Sequence, residues 1–490
     1  MASRVPPSVD DARAAADVLE RLLADPEVFA RLPIETRQRL LEAAGRFSRP
    51  DVTMRVRLKK LRRRMDRADR RVKDAILVDR TELRIARRAP IYLPPPPRTA
   101  ECETDGADGA DGAQSTLGEL ADARSCYVCK VPYRRVHFFY DSLCPDCGEL
   151  NHRKRTQSVP LHGRVAMVTG GRIKIGYQTA LLLLRAGAQV IVTTRFPNDS
   201  ALRFSREPDF ADWQDRLQLH GLDLRHSPSV ELFARWLAAS TPRLDLLINN
   251  AAQTVARPTA FYAHLIAAEA RLPAELPEAV RPLLAAHTEL RKATGLATAG
   301  AWQLKGAFEE SLQFPEGEFD ADLQQVDRRE VNSWRLEAGE VPTAELLEVH
   351  LVNSVAPFLL TSRLKPLLRR AGGDSHIVNV SAMEAQFSRR KKTTRHPHTN
   401  MAKAALNMLT RTSAEDYAKD GIFMNSVDTG WVTDEDPMHH AVRKRVEHDF
   451  HPPLDSVDGA ARVLDPPFVG LQTGVHPWGQ FFKDYRPTGW

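Results

Sequence analysis

The stretch RVAMVTGGRIKIGYQTALLLLRAG, residues 164–187, constrains the fold more than any other part of the chain. Val165 to Thr169 is an apolar run of strand length, two glycines then turn the chain, and an apolar segment of helical period follows. A strand apolar on both faces must be covered on both faces, which is the habit of parallel sheets. The pattern recurs in AQVIVTTR, LDLLINNAA and SHIVNVSAM, each separated from the next by helical sequence. The fold class expected from about Val159 to Trp490 is therefore α/β with a doubly wound parallel sheet. Residues 255–340 interrupt it with an insertion that mixes helical and polar stretches. Insertions of that size are uncommon unless functional.

A glycine turn between strand and helix aims backbone N–H groups and a helix N-terminus at a pyrophosphate. Followed in order by LDLR, NNAA and VNVSAM, it resembles the short-chain dehydrogenase/reductase family, over the region 159–490 without the insertion. The resemblance implies a Rossmann-type sheet, a dinucleotide cofactor and a small-molecule carbonyl or alcohol substrate. One departure is informative. Lys174 stands where the family has its third glycine, and the form TGG-x-x-basic-Ile-Gly is similar to pteridine-reductase-like members. That assigns Gly170, Lys174, Ile175 and Gly176 to the cofactor phosphates. At the end of the second strand the chain has Thr194 and Arg195 where an NAD-type member carries an acid. A neutral residue beside a guanidinium accommodates a 2′-phosphate, so NADP(H) is the expected cofactor. By the same resemblance Asp223 touches the adenine, Asn249 supports the strand edge beside the cofactor, and Thr433 hydrogen-bonds the carboxamide.

The reaction group departs further. In the family a tyrosine is the general acid, a lysine lowers its pKa and holds the ribose, a serine steadies the substrate oxygen, and an asparagine carries a water relay. Lys403 and Asn353 fill two of these positions. The serine position is Ala382; Ser381 precedes it, and adjacent residues on a strand face opposite sides. The tyrosine position is Thr399, whose aliphatic hydroxyl is a far poorer acid than a phenol of pKa about 10. Between Ala382 and Thr399 runs the basic SRRKKTTRHPH, longer than the family's segment. An imidazole titrates near neutrality, so His398 or His396 is the expected replacement donor; Tyr262 at the start of the insertion is a third candidate. Lys403, Asn353, Thr399 and His398 thus form the expected catalytic set. Two readings stay open: an oxidoreductase with an altered donor, or a catalytically inactive NADP(H)-binding scaffold or sensor. The aromatic end HPWGQFFKDYRPTGW lacks the glycine-rich final strand and is expected to cover the pocket or pack an interface.

Upstream, Cys126-x-x-Cys129 and Cys144-x-x-Cys147 are separated by fourteen residues. Two such pairs let four thiolates meet tetrahedrally around Zn²⁺, so residues 125–155 read as a zinc ribbon with a structural metal; redox-active thiols are the alternative. Residues 1–93 read as helical, with two helices over 9–46 and then a basic helix. Between Asp51 and Lys73 there are eleven Lys or Arg and three Asp, so the rest of the 490-residue chain, whose net charge is +6, carries about −2. Met54, Leu58, Leu61, Met65, Ala68 and Val72 form a heptad seam in that helix. The seam packs on the protein or a second copy, giving a homo-oligomer, or the arginines of helix 51–73 contact nucleic acid or an acidic protein. Residues 94–124, rich in proline and then Gly/Asp/Ala, read as a flexible linker. No apolar run is long enough to span a membrane and no apolar signal core opens the chain, so a cytoplasmic location without membrane contact is expected.

Overall fold

The computed structural model describes residues 7–89, 116–271, 273–295, 313–320, 323–389 and 392–490. Cys102, residues 94–115 of the expected linker and parts of the insertion lie outside the described residues. Two strands, β1 (Thr116–Ser125) and β2 (Pro132–His137), pair antiparallel. A second sheet holds β3 (Val165–Thr169), β4 (Gln189–Thr194), β5 (Leu217–Gly221), β6 (Leu246–Asn249), β7 (Ser375–Ser381), β8 (Ile422–Asp428), β9 (Phe481–Lys483) and β10 (Arg486–Thr488). Its order is β10-β9-β8-β7-β6-β3-β4-β5, parallel from β5 to β9. This is the Rossmann-type doubly wound sheet.

Side-chain alternation explains why the sheet is covered on both sides. Ala166 and Val168 of β3 join one apolar cluster, while Val165 and Met167 join the other. The strand order reverses between β3 and β6, so the crevice at their carboxyl ends is the natural ligand site. The carboxyl-terminal segment corrects an expectation. Phe481 and Phe482 are buried, and β9 extends the parallel sheet without any glycine-rich sequence.

The chain divides into two compact units, Met1–Ala75 and Ile76–Trp490. In the first, residues 9–48 form three helices rather than two: Asp25 caps a break, and Pro26 opens the helix Pro26–Arg31. The helix Val52–Val78 follows, and Met54, Leu58, Leu61, Met65 and Val72 of its seam are exposed in this chain.

In the second unit the cysteine module shares its core with the large sheet domain. Val136, Phe139 and Leu143 cluster with Val432 and Leu454. Residues 116–124, expected as linker, are strand β1, because Leu120 is buried in that cluster and β2 pairs alongside. The helix Pro145–Arg155 packs on the helix Ser456–Thr473 through buried charges. Arg155 donates to both Asp455 oxygens at 2.6 and 3.0 Å, and Arg462 donates to Asn151 Oδ1 at 2.6 Å.

Candidate functional site

A cavity of about 990 Å³ opens at the carboxyl ends of the parallel strands. One half is built by β3, β4 and β5. Gly170 adopts φ +68°, and a Cβ there would come within 2.8 Å of Ala251 Cα. A Cβ at Gly176 would collide with Asn250 Nδ2 and the Gly170 carbonyl. Glycine is required at both positions because the turn packs closely against Ala251 and Asn250. Lys174, at the family's third glycine, adopts φ +54°, a strained conformation for a non-glycine residue. Its Nζ lies 3.2 Å from Glu435 Oε1, which also accepts from Thr433 Oγ1 at 2.8 Å. Lys174 is the main reason that Glu435 titrates as low as about 2. Ile175 lines the cavity behind it.

Arg195 Nη2 donates to Tyr262 Oη at 2.8 Å, with the guanidinium 4.4 Å from that ring's centroid. Thr194 is buried beside it, and its Oγ1 accepts from Phe196 N at 3.1 Å. Asp223 lines the cavity and binds Arg225 at 2.6 Å, which holds its carboxyl below the usual range against the opposing effect of burial. Asn249 lies beneath the wall: its Nδ2 donates to Asn379 Oδ1 at 2.8 Å and Thr361 Oγ1 at 3.2 Å, tying strands together. Asn250 is the asparagine on the wall, bonding the Thr169 and Gly170 carbonyls at 3.0 and 3.2 Å. Arg172, paired with Asp199 at 2.6 Å, also lines it. Neither Asn250 nor Arg172 was singled out from sequence, although NNAA and TGGR contain both.

The other half surrounds the ends of β7, β8 and β9. Lys403 is buried, and its Nζ donates to the Val380 carbonyl at 2.7 Å. Burial brings its pKa down to about 8. Asn353 sits in a π-helical turn, Leu351–Val355, and exchanges hydrogen bonds with the Gln253 backbone at 2.7 and 3.0 Å. Such turns recur at functional sites. Ala382 and Ser381 both line the cavity, which wraps the end of β7. Ser381 Oγ is buried and has no hydrogen-bond partner among the described residues.

The helix Pro397–Ala418 presents Lys403, Asn400 and the capping residue His396 to the cavity, spaced by three and four. Thr399 is buried and is not among the lining residues. His398 is turned to the helix Thr343–His350, its Nε2 3.2 Å from Glu345 Oε1. His396 is the imidazole on the wall. The residue adopts φ +42°, its backbone N–H donates to the Leu336 carbonyl at 2.8 Å, and its ring stacks on Trp334. The insertion supplies Trp334 and Leu336, and also Arg257 and Tyr262 of the cavity wall.

The four cysteines Cys126, Cys129, Cys144 and Cys147 converge, with sulfurs within 4.8 Å of one another. Burial pushes the Cys144 thiol up to about 11 and that of Cys147 higher still. A cluster of four such sulfurs fits one tetrahedral ion. The first cysteine pair also reaches the cavity: Tyr127 lines it, and the Tyr127 hydroxyl accepts from Trp431 N at 2.9 Å.

Residues 164–265 match the short chain dehydrogenase family, and residues 332–451 match a family described as enoyl-(acyl carrier protein) reductase. An uncharacterized protein, R665, of Acanthamoeba polyphaga mimivirus is 31% identical over 383 residues, covering 74% of each chain. Human dehydrogenase/reductase SDR family member 13 is 36% identical over 108 residues, 22% of this chain and 26% of that one. Retinol dehydrogenase 14 of Mus musculus is 36% identical over 117 residues and is covered over 34% of its length. The chain thus spans about a third or less of the length of these two relatives. Among solved structures, an NADPH-bound carbonyl reductase from chicken fatty liver aligns with 18% identity and a TM-score of 0.42, over 67% of this chain and 100% of that one. No helix among the described residues is long and apolar enough to cross a membrane.

Proposed function

We propose that the chain is an NADP(H)-dependent oxidoreductase of the short-chain dehydrogenase type acting on a small carbonyl or alcohol, a reading supported by the family match over residues 164–265. The observation that carries this reading is one cavity whose wall holds the glycine turn, Arg195 and Lys403 together. The bound cofactor would supply or accept the hydride at the carbonyl carbon. Gly170, Ile175 and Gly176 line the cavity where its pyrophosphate would lie, and Lys174 and Arg172 offer charge to it. Thr194 and Arg195 accept a 2′-phosphate, Asp223 borders the adenine, Asn249 supports the strand edge beside the cofactor, and Thr433 holds the carboxamide.

Lys403 binds the ribose hydroxyls, and its buried ammonium favours electron density on a neighbouring oxygen. Asn353, in its π-turn, positions the relay to Lys403. A proton must reach the substrate oxygen as the hydride reaches carbon. His396 replaces the tyrosine as its donor, since it shares the helix face of Lys403 and His398 does not line the cavity. Thr399 is left a structural residue. The four cysteines hold a structural Zn²⁺.

Nicotinamide fluorescence on titrating NADPH, with Arg195→Ala and Lys174→Ala as controls, tests cofactor binding. Turnover over a carbonyl panel, lost in Lys403→Ala, tests catalysis. Ala382 and Thr399 favour a second reading, an NADP(H)-binding scaffold or sensor contacting a protein or nucleic acid through the cysteine module and helix 51–73. Tight NADPH binding with no turnover on any panel member would support it.

A further inference from the structure

The sheet order separates the cavity into two halves of different charge origin. Arg195 and Asp223 follow β4 and β5, at one end of the sheet, while Ser381, Asp428 and Lys483 mark β7, β8 and β9 at the other. On this second side, besides the buried Lys403, the wall carries Lys130, Arg389, Lys392, Arg395 and Lys483. Its acids are Glu384, Asp428, Glu435 and Asp436; Glu435 pairs with Lys174, and Asp436 with Arg335 and Lys444. Arg389 pairs with Glu384, and Lys483 lies 3.3 Å from Asp428. Those two pairs cancel. Lys392 and Lys130 are anchored by carbonyl oxygens, of Glu384 at 2.6 Å and of Tyr127, which hold a cation without neutralising it. No carboxylate among the described residues lies within ion-pair reach of Lys130, Lys392 or Arg395.

The placement of Lys130 is determined by the cysteine module. It follows Cys129 directly with φ +64°, and its ammonium lies 4.9 Å from the centroid of the Tyr127 ring. Tyr127 is fixed in turn by the Trp431 N–H just beyond β8. Its hydroxyl oxygen accepts that bond, so the hydroxyl proton is left to donate. A donor and three uncompensated cations thus border the same substrate-side space.

We propose that the Cys126–Lys130 knuckle is a substrate-binding element, and that Tyr127 and Lys130, with Lys392 and Arg395 of the same cavity wall, recognise an anionic group on the substrate. The inference rests on the oxidoreductase reading for what lies next to that group, but anion binding is measurable without turnover. The group is a carboxylate or a phosphate, which share the chemistry of acceptor oxygens bearing charge.

The test is calorimetric titration of the full chain with benzoate, phenyl phosphate and benzamide, with and without saturating NADPH. One of the two anions binds at least about tenfold more tightly than the neutral amide, and the preference shrinks as salt is raised. Lys130→Ala and Arg395→Ala each weaken the anion several-fold and leave NADPH affinity unchanged; Tyr127→Phe weakens it less. Both anions binding no better than benzamide, or failing to bind at tens of millimolar, overturns the proposal. So does an anion affinity indifferent to Lys130→Ala and Arg395→Ala together. NADPH titration of the same samples reports separately on the cofactor reading.

Discussion

The imidazole of His396 lies flat on the Trp334 indole, with ring centroids 4.0 Å apart and planes 7° from parallel. Trp334 belongs to the insertion, and His396 caps the helix that carries Lys403. The contact fixes a histidine in a left-handed backbone conformation that few residues other than glycine and asparagine adopt readily. An insertion that holds one strained side chain in the cavity is a means of rebuilding a proton donor where the phenol is absent.

The pH dependence follows from the surroundings of His396. Burial moves its pKa below the ordinary 6.5; His398 acts in the same direction, while Glu384 and Asn400 oppose it. A donor must be protonated, so kcat/KM for carbonyl reduction falls as pH rises through a value below 6.5, and alcohol oxidation rises over the same range. His396→Gln removes that limb and lowers kcat about 10²-fold or more. Trp334→Ala, which exposes the ring, moves the limb upward. A profile unchanged in His396→Gln would assign the proton elsewhere.

Lys403 is expected to trade stability for function. Its folded pKa of about 8 lies below the ordinary 10.5. Between these values the unfolded chain binds more protons, so stability rises with pH over that window and the buried charge is a cost at neutrality. Lys403→Met should therefore stabilise the cofactor-free protein at pH 7 by roughly 1–3 kcal/mol, since each pKa unit is worth about 1.4 kcal/mol. Urea unfolding measures the gain, and the same variant should lose turnover and most NADPH affinity.

Cofactor choice depends on Arg195. Its guanidinium is held by Tyr262, and the neighbouring Thr194 carries no charge. A charge-assisted hydrogen bond contributes about 1.5–3 kcal/mol, so Arg195→Ala should weaken NADPH about 10–100-fold and NADH little. Parallel fluorescence titrations with the two cofactors decide it. Equal losses for both would place the guanidinium away from the 2′-phosphate.

These expectations show what was legible in the chain. The strand–turn–helix of 164–187 was readable because every signal is local. The final strand was not: Phe481–Lys483 is three residues long and joins the sheet by pairing with Ser426–Asp428. Which histidine faces the cavity was equally hidden, because Trp334 and Glu345, some sixty and fifty residues upstream, decide it. The attachment of Tyr127 to Trp431 spans 304 residues, and no spacing rule announces it.

Metal removal should disturb more than the cysteine module. Its core includes Val432, and Arg155 ties it to Asp455. The thiols of Cys144 and Cys147, pushed upward by burial, must lose protons to bind an ion, so metal affinity weakens as pH is lowered. Elemental analysis should find one zinc per chain, lost in Cys144→Ser. Chelation should lower the melting midpoint of the whole 76–490 unit in one transition; a separate early transition would mean that the module unfolds alone.

The last prediction concerns the carboxylate beside the phosphate site. In the cofactor-free chain Glu435 neutralises Lys174 at 3.2 Å, and its folded pKa is down to about 2. A depressed carboxyl contributes stability above its unfolded value, near 4.3, which is lost as pH falls towards 2. Glu435→Gln should therefore destabilise the cofactor-free protein at pH 7, with a smaller difference from wild type at pH 3. A phosphate must displace this carboxylate from Lys174 and then sit beside its charge. The variant should accordingly bind NADPH about tenfold more tightly at low salt, and the gain should fade as salt rises. Unchanged or weaker binding would show that Lys174 keeps its carboxylate when the cofactor is bound.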